Sequence, residues 1–236
     1  MTQRDRPAPP ESNTTGIRLF LDTADTKQWQ NWLPTGLFYG VTTNPLLLEK
    51  SQVTCSVKQL TQLARQAFDL GAKEVQLQTW GTSVDSLVKT GKLLAAIDDR
   101  IVVKAPITKV GTEAASRLIA SGIWITLTGV YAVHQALIAA ALGVDYVAPY
   151  LGRINDLGRN GRDDLVAMQQ AIAGVGSATR ILVASIRSVD DIAFLATQGL
   201  DTFTFSPAIA EAFFDVTATN QAVSDFEQAA VRMGAE

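Results

Sequence analysis

The sequence predicts an α/β protein, a single-domain (β/α)8 TIM barrel with one extra helix at its C-terminal end. Two observations predict it. Eight short apolar runs alternate with longer amphipathic stretches, which is the pattern of a parallel sheet with crossover helices. Eight such units in about 220 residues is the count that closes a barrel. An open doubly wound sheet is the competing arrangement. The first run is followed by Asp22-Thr23-Ala24-Asp25, where a dinucleotide fold would place Gly-x-Gly-x-x-Gly.

The predicted strands are Ile17–Asp22, Phe38–Thr42, Glu74–Thr79, Ile101–Ala105, Trp124–Leu127, Tyr146–Pro149, Ile181–Ala184 and Thr202–Phe205. Gly, Pro, Asp or Asn bounds each, and most are rich in Val, Ile, Leu or aromatic residues, as strands buried on both faces should be. Between them, Thr112–Ser121 carries Ala114, Ala115, Leu118 and Ile119 on one helical stripe. Val130–Leu142 is apolar nearly all round, so it reads as a buried helix or one covered by a partner. Its single histidine, His134, reads as a packing residue. Gly71, Gly122, Gly143 and Gly199 stand where helices end before the next strand. Residues 1–16, with Pro7, Pro9 and Pro10, read as a flexible tail without the apolar stretch of a signal peptide. Residues 17–236 form the barrel, and Ala218–Met233 is an amphipathic helix beyond the eighth unit.

Composition narrows the function classes. Hydrophobic residues make up 47% of the 236 and charged residues 18%, as in an ordinary folded domain. A net charge of −3 argues against a broad nucleic-acid surface. No apolar run reaches membrane-spanning length. The one cysteine, Cys55, fits a reducing cytoplasm and excludes an intrachain disulfide.

Chemistry in such a barrel belongs at the C-terminal ends of the strands. Read in order, those ends present Asp22, then Thr42-Thr43-Asn44-Pro45, then Gln76 and Gln78, then Lys104. Thr126 and Thr128, Tyr150 with Arg153, Ser185 with Arg187, and Ser206 complete the circuit. Lys104 is the most informative, because it sits inside Ile-Val-Val-Lys-Ala-Pro. A buried Lys pairs with an acid or gives up its proton, and a neutral amine forms Schiff bases with carbonyls. The other readings of Lys104 are an outward side chain between helices, or a core ion pair with Asp22. Asp22 could cap the first helix, but Asp25 or Thr23 is better placed for that, which leaves Asp22 facing inward. Arg153 and Arg187 follow strands six and seven, where barrels commonly hold phosphate.

Leu19-Phe20-Leu21-Asp22-Thr23-Ala24-Asp25, Gly40-Val41-Thr42-Thr43-Asn44-Pro45 and Val102-Val103-Lys104-Ala105-Pro106 resemble the transaldolase family. So do Val147-Ala148-Pro149-Tyr150-Leu151-Gly152-Arg153 and Val183-Ala184-Ser185-Ile186-Arg187. The short length is similar to the small-subunit branch, which holds both fructose-6-phosphate aldolases and short transaldolases of the pentose phosphate pathway. The resemblance implies Lys104 as the Schiff-base lysine, Asp22 as proton carrier at the C4 hydroxyl, Asn44 at the dihydroxyacetone part, and Thr42 among the substrate-binding residues. It implies Thr128 at the catalytic water, and Arg153, Ser185 and Arg187 at the phosphate. It implies sugar-phosphate substrates, no cofactor or metal, and a cytoplasmic homo-oligomer, a pentamer or decamer joined through helix 218–233. Gln78 and Tyr150 match the aldolase branch, where transaldolases carry Glu and usually Phe. Leu151-Gly152-Arg153 and Asp156-x-Gly158-x-Asn160-Gly161 resemble the transaldolases, and Trp80 and Trp124 depart from both. Two other classes use similar parts, a pyridoxal-phosphate protein and a non-catalytic barrel scaffold.

Overall fold

The structure is a computed structural model that describes residues 16–235, so the expected tail, apart from its last residue, lies outside the described residues. Eight strands are present among them: β1 (Arg18–Asp22), β2 (Gly40–Thr42), β3 (Glu74–Gln78), β4 (Ile101–Pro106), β5 (Ile125–Val130), β6 (Tyr146–Pro149), β7 (Arg180–Val183) and β8 (Thr202–Phe205). They are parallel, follow chain order, and close through β8 onto β1. The helices are α1 (Thr26–Trp32), α2 (Pro45–Lys50), α3 (Val57–Asp69), α4 (Val84–Ala95), α5 (Lys109–Ile119), α6 (Val133–Leu142), α7 (Leu151–Asp156), α8 (Gly161–Gly174), α9 (Val189–Thr197), α10 (Pro207–Ala212) and α11 (Thr217–Arg232).

Alternation along each strand divides the interior in two. Leu19, Leu21, Val75, Leu77, Val103, Leu127, Val147, Val183 and Phe203 face the helices and build the main core. Their neighbours face the barrel axis, where Phe20, Val102, Tyr146, Ala148 and Leu182 form a separate inner cluster. Gly71, Gly122, Gly143 and Gly199 all take left-handed backbone at helix ends, as their positions suggested. The apolar helix begins at Val133 because β5 runs on through Val130. His134 therefore lies on the exposed first turn of α6, and the packing role expected of it is corrected.

The inner face carries polar side chains at both ends of the barrel. At its floor, Arg18 donates to the Tyr146 hydroxyl, which donates to Glu74 Oε2 at 2.9 Å. Gln76 Nε2 donates to Glu74 Oε1 at 2.8 Å, and Thr126 Oγ1 donates to Gln76 Oε1 at 2.8 Å. Glu74 is buried, and that burial pushes its carboxyl up to about 7 against the hydrogen bonds of Gln76 and Tyr146 and the charge of Arg18. A carboxyl raised in this way favours the fold while it is protonated, and that advantage fades as pH rises from about 4.5 through about 7. Glu74→Gln removes the titration. Urea unfolding across this range should therefore show wild-type stability falling relative to the variant, by on the order of 3 kcal/mol. Parallel curves would refute the assignment.

Candidate active site

Lys104 stands on β4 with its side chain in the barrel, 4% exposed. The strand is apolar because its other face must pack on helices, so the amine has little water. Burial lowers the Lys104 pKa, and the nearby charge of Asp22 opposes that. The ammonium donates to the Thr43 carbonyl at 3.1 Å, a neutral acceptor that stabilises the cation less than a carboxylate would.

Asp22 ends β1 and points inward, as expected, while Asp25 caps α1 by accepting from the Lys27 backbone. Asp22 Oδ1 accepts from Thr42 Oγ1 at 2.6 Å, and Thr42 in turn meets the Thr204 hydroxyl at 2.5 Å. Burial pushes the Asp22 carboxyl up, against the charges of Lys104 and Arg153 and the Thr42 hydrogen bond. Each member of the Asp22–Lys104 pair is thus drawn toward its neutral form, which suits proton transfer near neutral pH.

Gln78 lies beside Lys104 in the β3–β4 register. Thr128 Oγ1, on β5, and the Tyr150 hydroxyl, just past the end of β6, are 2.8 Å apart. The β5–β6 register shifts between Thr128 and Val130, leaving Gly129 as an extra residue with φ 78°. Alternation from Thr126 already faces Thr128 to the axis, and the bulge lets Val130 return to the core. Burial raises the Tyr150 phenol above its ordinary value, so it stays a donor at neutral pH. Asn44 caps α2, its Oδ1 accepting from Leu46 and Leu47 at 3.0 and 3.1 Å. The cap holds the amide in one orientation and leaves its NH2 group for other acceptors.

The arginines gather at the mouth over β6 and β7. The Arg153 charge acts on Asp22, and Arg153 also feels Arg187. Arg153 donates to Tyr131 Oη at 3.4 Å and lies 5.1 Å from the Tyr150 ring centre. Arg187 is held by both oxygens of Asp156, at 2.6 and 2.5 Å. Ser185 has φ 57°, a left-handed conformation that costs a non-glycine residue energy. Its carbonyl accepts from Gly152 at 2.9 Å. A Cβ on Gly152 would come within 2.5 Å of that oxygen and 2.7 Å of Arg187 Nε, so only glycine lets α7 approach this closely.

Contacts, register and charge therefore tie Asp22, Thr42, Gln78, Lys104, Thr128, Tyr150 and Arg153 into one site, with Ser185 and Arg187 at the neighbouring strand end. Sequence reasoning missed Thr43, whose backbone oxygen is what matters, and Thr204, Tyr131 and Asp156. Thr204 could have been found from the alternation of β8. Asp156 stood inside a noted motif but was not connected to Arg187.

A closed parallel barrel with a dry lysine beside an inward acid at its catalytic end defines an enzyme equipped for carbonyl chemistry through an amine. Residues 19–235 match the family described as Transaldolase/Fructose-6-phosphate aldolase, and the chain belongs to that family. It is an aldolase/transaldolase enzyme, with the Schiff-base mechanism characteristic of the family. The chain is 33% identical over 210 residues to a "Probable transaldolase" of Caulobacter sp. (strain K31), covering 89% of this chain and 94% of the relative. It is 30% identical over 220 residues to the "Probable transaldolase" of Hyphomonas neptunium (strain ATCC 15444), covering 93% and 100%.

Asp22→Asn removes the charge that opposes burial at Lys104. Its amine should then lose its proton at lower pH, measurable as the pH dependence of reductive methylation at Lys104 by peptide mass spectrometry. A shift toward higher pH would contradict the pairing.

Proposed function

We propose that the enzyme cleaves and forms the C3–C4 bond of ketose phosphates through an imine on Lys104, and that it acts as a fructose-6-phosphate aldolase. Neutral Lys104 adds to C2 of the ketose, and loss of water leaves an iminium. Asp22 takes the proton of the C4 hydroxyl as the C3–C4 bond breaks, and the bonding electrons flow into the iminium to give an enamine. Glyceraldehyde 3-phosphate departs. A water held by Thr128, Tyr150 and Gln78 protonates the enamine at C3, and hydrolysis of the resulting iminium frees dihydroxyacetone. Asn44 and Thr42 hold the dihydroxyacetone hydroxyls, and Arg153, Arg187 and Ser185 hold the phosphate.

The observation that carries the aldolase reading is the Thr128–Tyr150 hydroxyl pair, together with an amide at position 78 as the cross-strand partner of Lys104. Two hydroxyls and an amide can orient a water but bring no carboxylate to that side of the amine. The second reading, transaldolase, draws on the names of the relatives and on the α7 segment Leu151–Asp156 with its following Gly158 and Asn160. There the enamine waits for a second aldehyde.

Borohydride with fructose 6-phosphate should add mass to the peptide holding Lys104, and Lys104→Ala should abolish both adduct and turnover. Fructose 6-phosphate alone should give dihydroxyacetone and glyceraldehyde 3-phosphate through many turnovers. Gln78→Glu with Tyr150→Phe should shift activity toward transfer onto an aldose phosphate. A single turnover that resumes only with erythrose 4-phosphate would establish the transaldolase reading instead.

Gly152→Ala displaces Ser185 and Arg187 together. It should raise KM for fructose 6-phosphate by about tenfold or more, the scale of one lost charge-assisted hydrogen bond, while unphosphorylated fructose changes little. Equal effects on both ketoses would remove the phosphate role.

The α11 helix supports the expected assembly. It buries none of its residues in this chain and exposes Val223, Phe226 and Val231, with Met233 just beyond. A second copy covering this stripe would make the protein a homo-oligomer, a pentamer or decamer. Light scattering should give a multiple of 25.3 kDa for the full chain and a smaller assembly after deletion from Ala218. A monomeric full chain would overturn this.

A further inference from the structure

The reaction just described makes no use of the polar cluster on the barrel floor. Glu74, Gln76, Thr126 and Tyr146 are all buried, and Arg18 is 8% exposed. Burying so many polar groups is costly, and an apolar filling of the same shape would stabilise a barrel at least as well. The cluster is also directional. Arg18 donates to Tyr146, Tyr146 and Gln76 donate to Glu74, and Thr126 donates to Gln76, so every donated hydrogen points toward the one carboxylate. The far end of this chain lies beside the reactive amine. Thr126 is the cross-strand partner of Lys104 on β5, on the same inward face. Gln76 sits two residues below Gln78, which partners Lys104 from the other side.

We propose that Glu74 is a positioning residue for Lys104: acting through the Gln76 amide, its carboxylate sets the direction of the Thr126 hydroxyl alongside the amine. The inference rests on Lys104 being the reacting amine. An amide has one donating and one accepting end. While Glu74 is charged, Gln76 must give it Nε2 and turn Oε1 to Thr126, which commits the threonine hydrogen away from Lys104. When Glu74 carries a proton it can donate, the amide turns over and its Nε2 faces Thr126. The threonine hydrogen is then released toward its other neighbours. The groups facing Glu74 are Arg18 from β1, Tyr146 and the preceding Asp145 from β6, and Tyr39 from the segment before β2, on which Arg180 of β7 also acts. Arg18 favours the charged carboxyl, Asp145 opposes it, and burial outweighs both, so the switch falls near neutral pH.

Acetylation of Lys104 by acetic anhydride tests this without any sugar, so its result is distinct from failure of the aldolase reading. The rate is followed by peptide mass spectrometry from about pH 5 to about pH 9, where the ionisation of a perturbed amine is reported. The wild-type profile should contain an inflection from Glu74 in addition to that of Lys104. Glu74→Gln, uncharged at every pH, should lose the inflection and displace the remaining step by about one pH unit, which is about tenfold in rate at fixed pH. Thr126→Val leaves the carboxylate and its Arg18 and Tyr146 partners in place and should give the same single step. Thr126→Ser, which keeps the hydroxyl, should restore the wild-type profile. If Glu74→Gln does not fold, the two Thr126 variants carry the test. Superimposable profiles for the wild type and Thr126→Val, or a Lys104 that is not acetylated, would overturn the proposal, because a merely structural cluster would alter stability and leave the amine unchanged.

Discussion

Burying the Lys104 amine inside an apolar strand sets desolvation against charge, and the surrounding residues are arranged around that conflict. Water would keep the amine protonated and unreactive. The barrel removes the water, and the Thr43 carbonyl offers only a neutral partner. Asp22 limits how far the amine is driven toward neutrality, and it is itself drawn toward protonation by the same dry interior. Two groups shifted toward each other's range can exchange a proton at small cost, which is what imine chemistry at neutral pH demands. Thr42 and Thr204 then fix the carboxylate from below, so that the acid has one orientation to offer.

The strand alternation that creates this site also separates two kinds of order. The outer core is continuous and apolar and holds the helices on the sheet. The inner face is short, and a thin apolar cluster around Phe20, Val102 and Leu182 lies among polar groups above and below. The Gln76–Thr126 hydrogen bond passes through that layer. The barrel axis is therefore a polar path with a tight packing collar, along which hydrogen bonds run from Glu74 to Thr126 beside Lys104.

Much of this was readable in one dimension. All eight strands lay where apolar runs and glycine punctuation placed them, and Lys104 announced itself as a charge within Ile-Val-Val-Lys-Ala-Pro. Asp22 could be told from its capping neighbour because Asp25 stood at the better spacing. Other features were hidden for definite reasons. The Thr43 partner of Lys104 is a backbone atom, which no residue type reveals. Arg18, Glu74 and Tyr146 lie as many as 128 residues apart and begin strands, at the end of the barrel where reactive groups are not sought. The extension of β5 to Val130 depends on a bulge at Gly129, and the apolar run that followed read as helix from the same point. The Asp156–Arg187 pair joins the end of α7 to the segment after β7 across 31 residues, so each partner looked like a solitary surface charge.

That last pair has a consequence for charge stoichiometry. Arg153 and Arg187 bring two positive charges to the mouth, and Asp156, locked bidentately onto one of them, returns a negative one. The Arg159–Asp164 pair nearby is neutral in sum. An anion held by both guanidiniums would share Arg187 with Asp156, so its binding would compete with that fork. The same carboxylate holds the planar edge of the Arg187 guanidinium in one orientation, so a further partner of that group would find a long side chain already ordered.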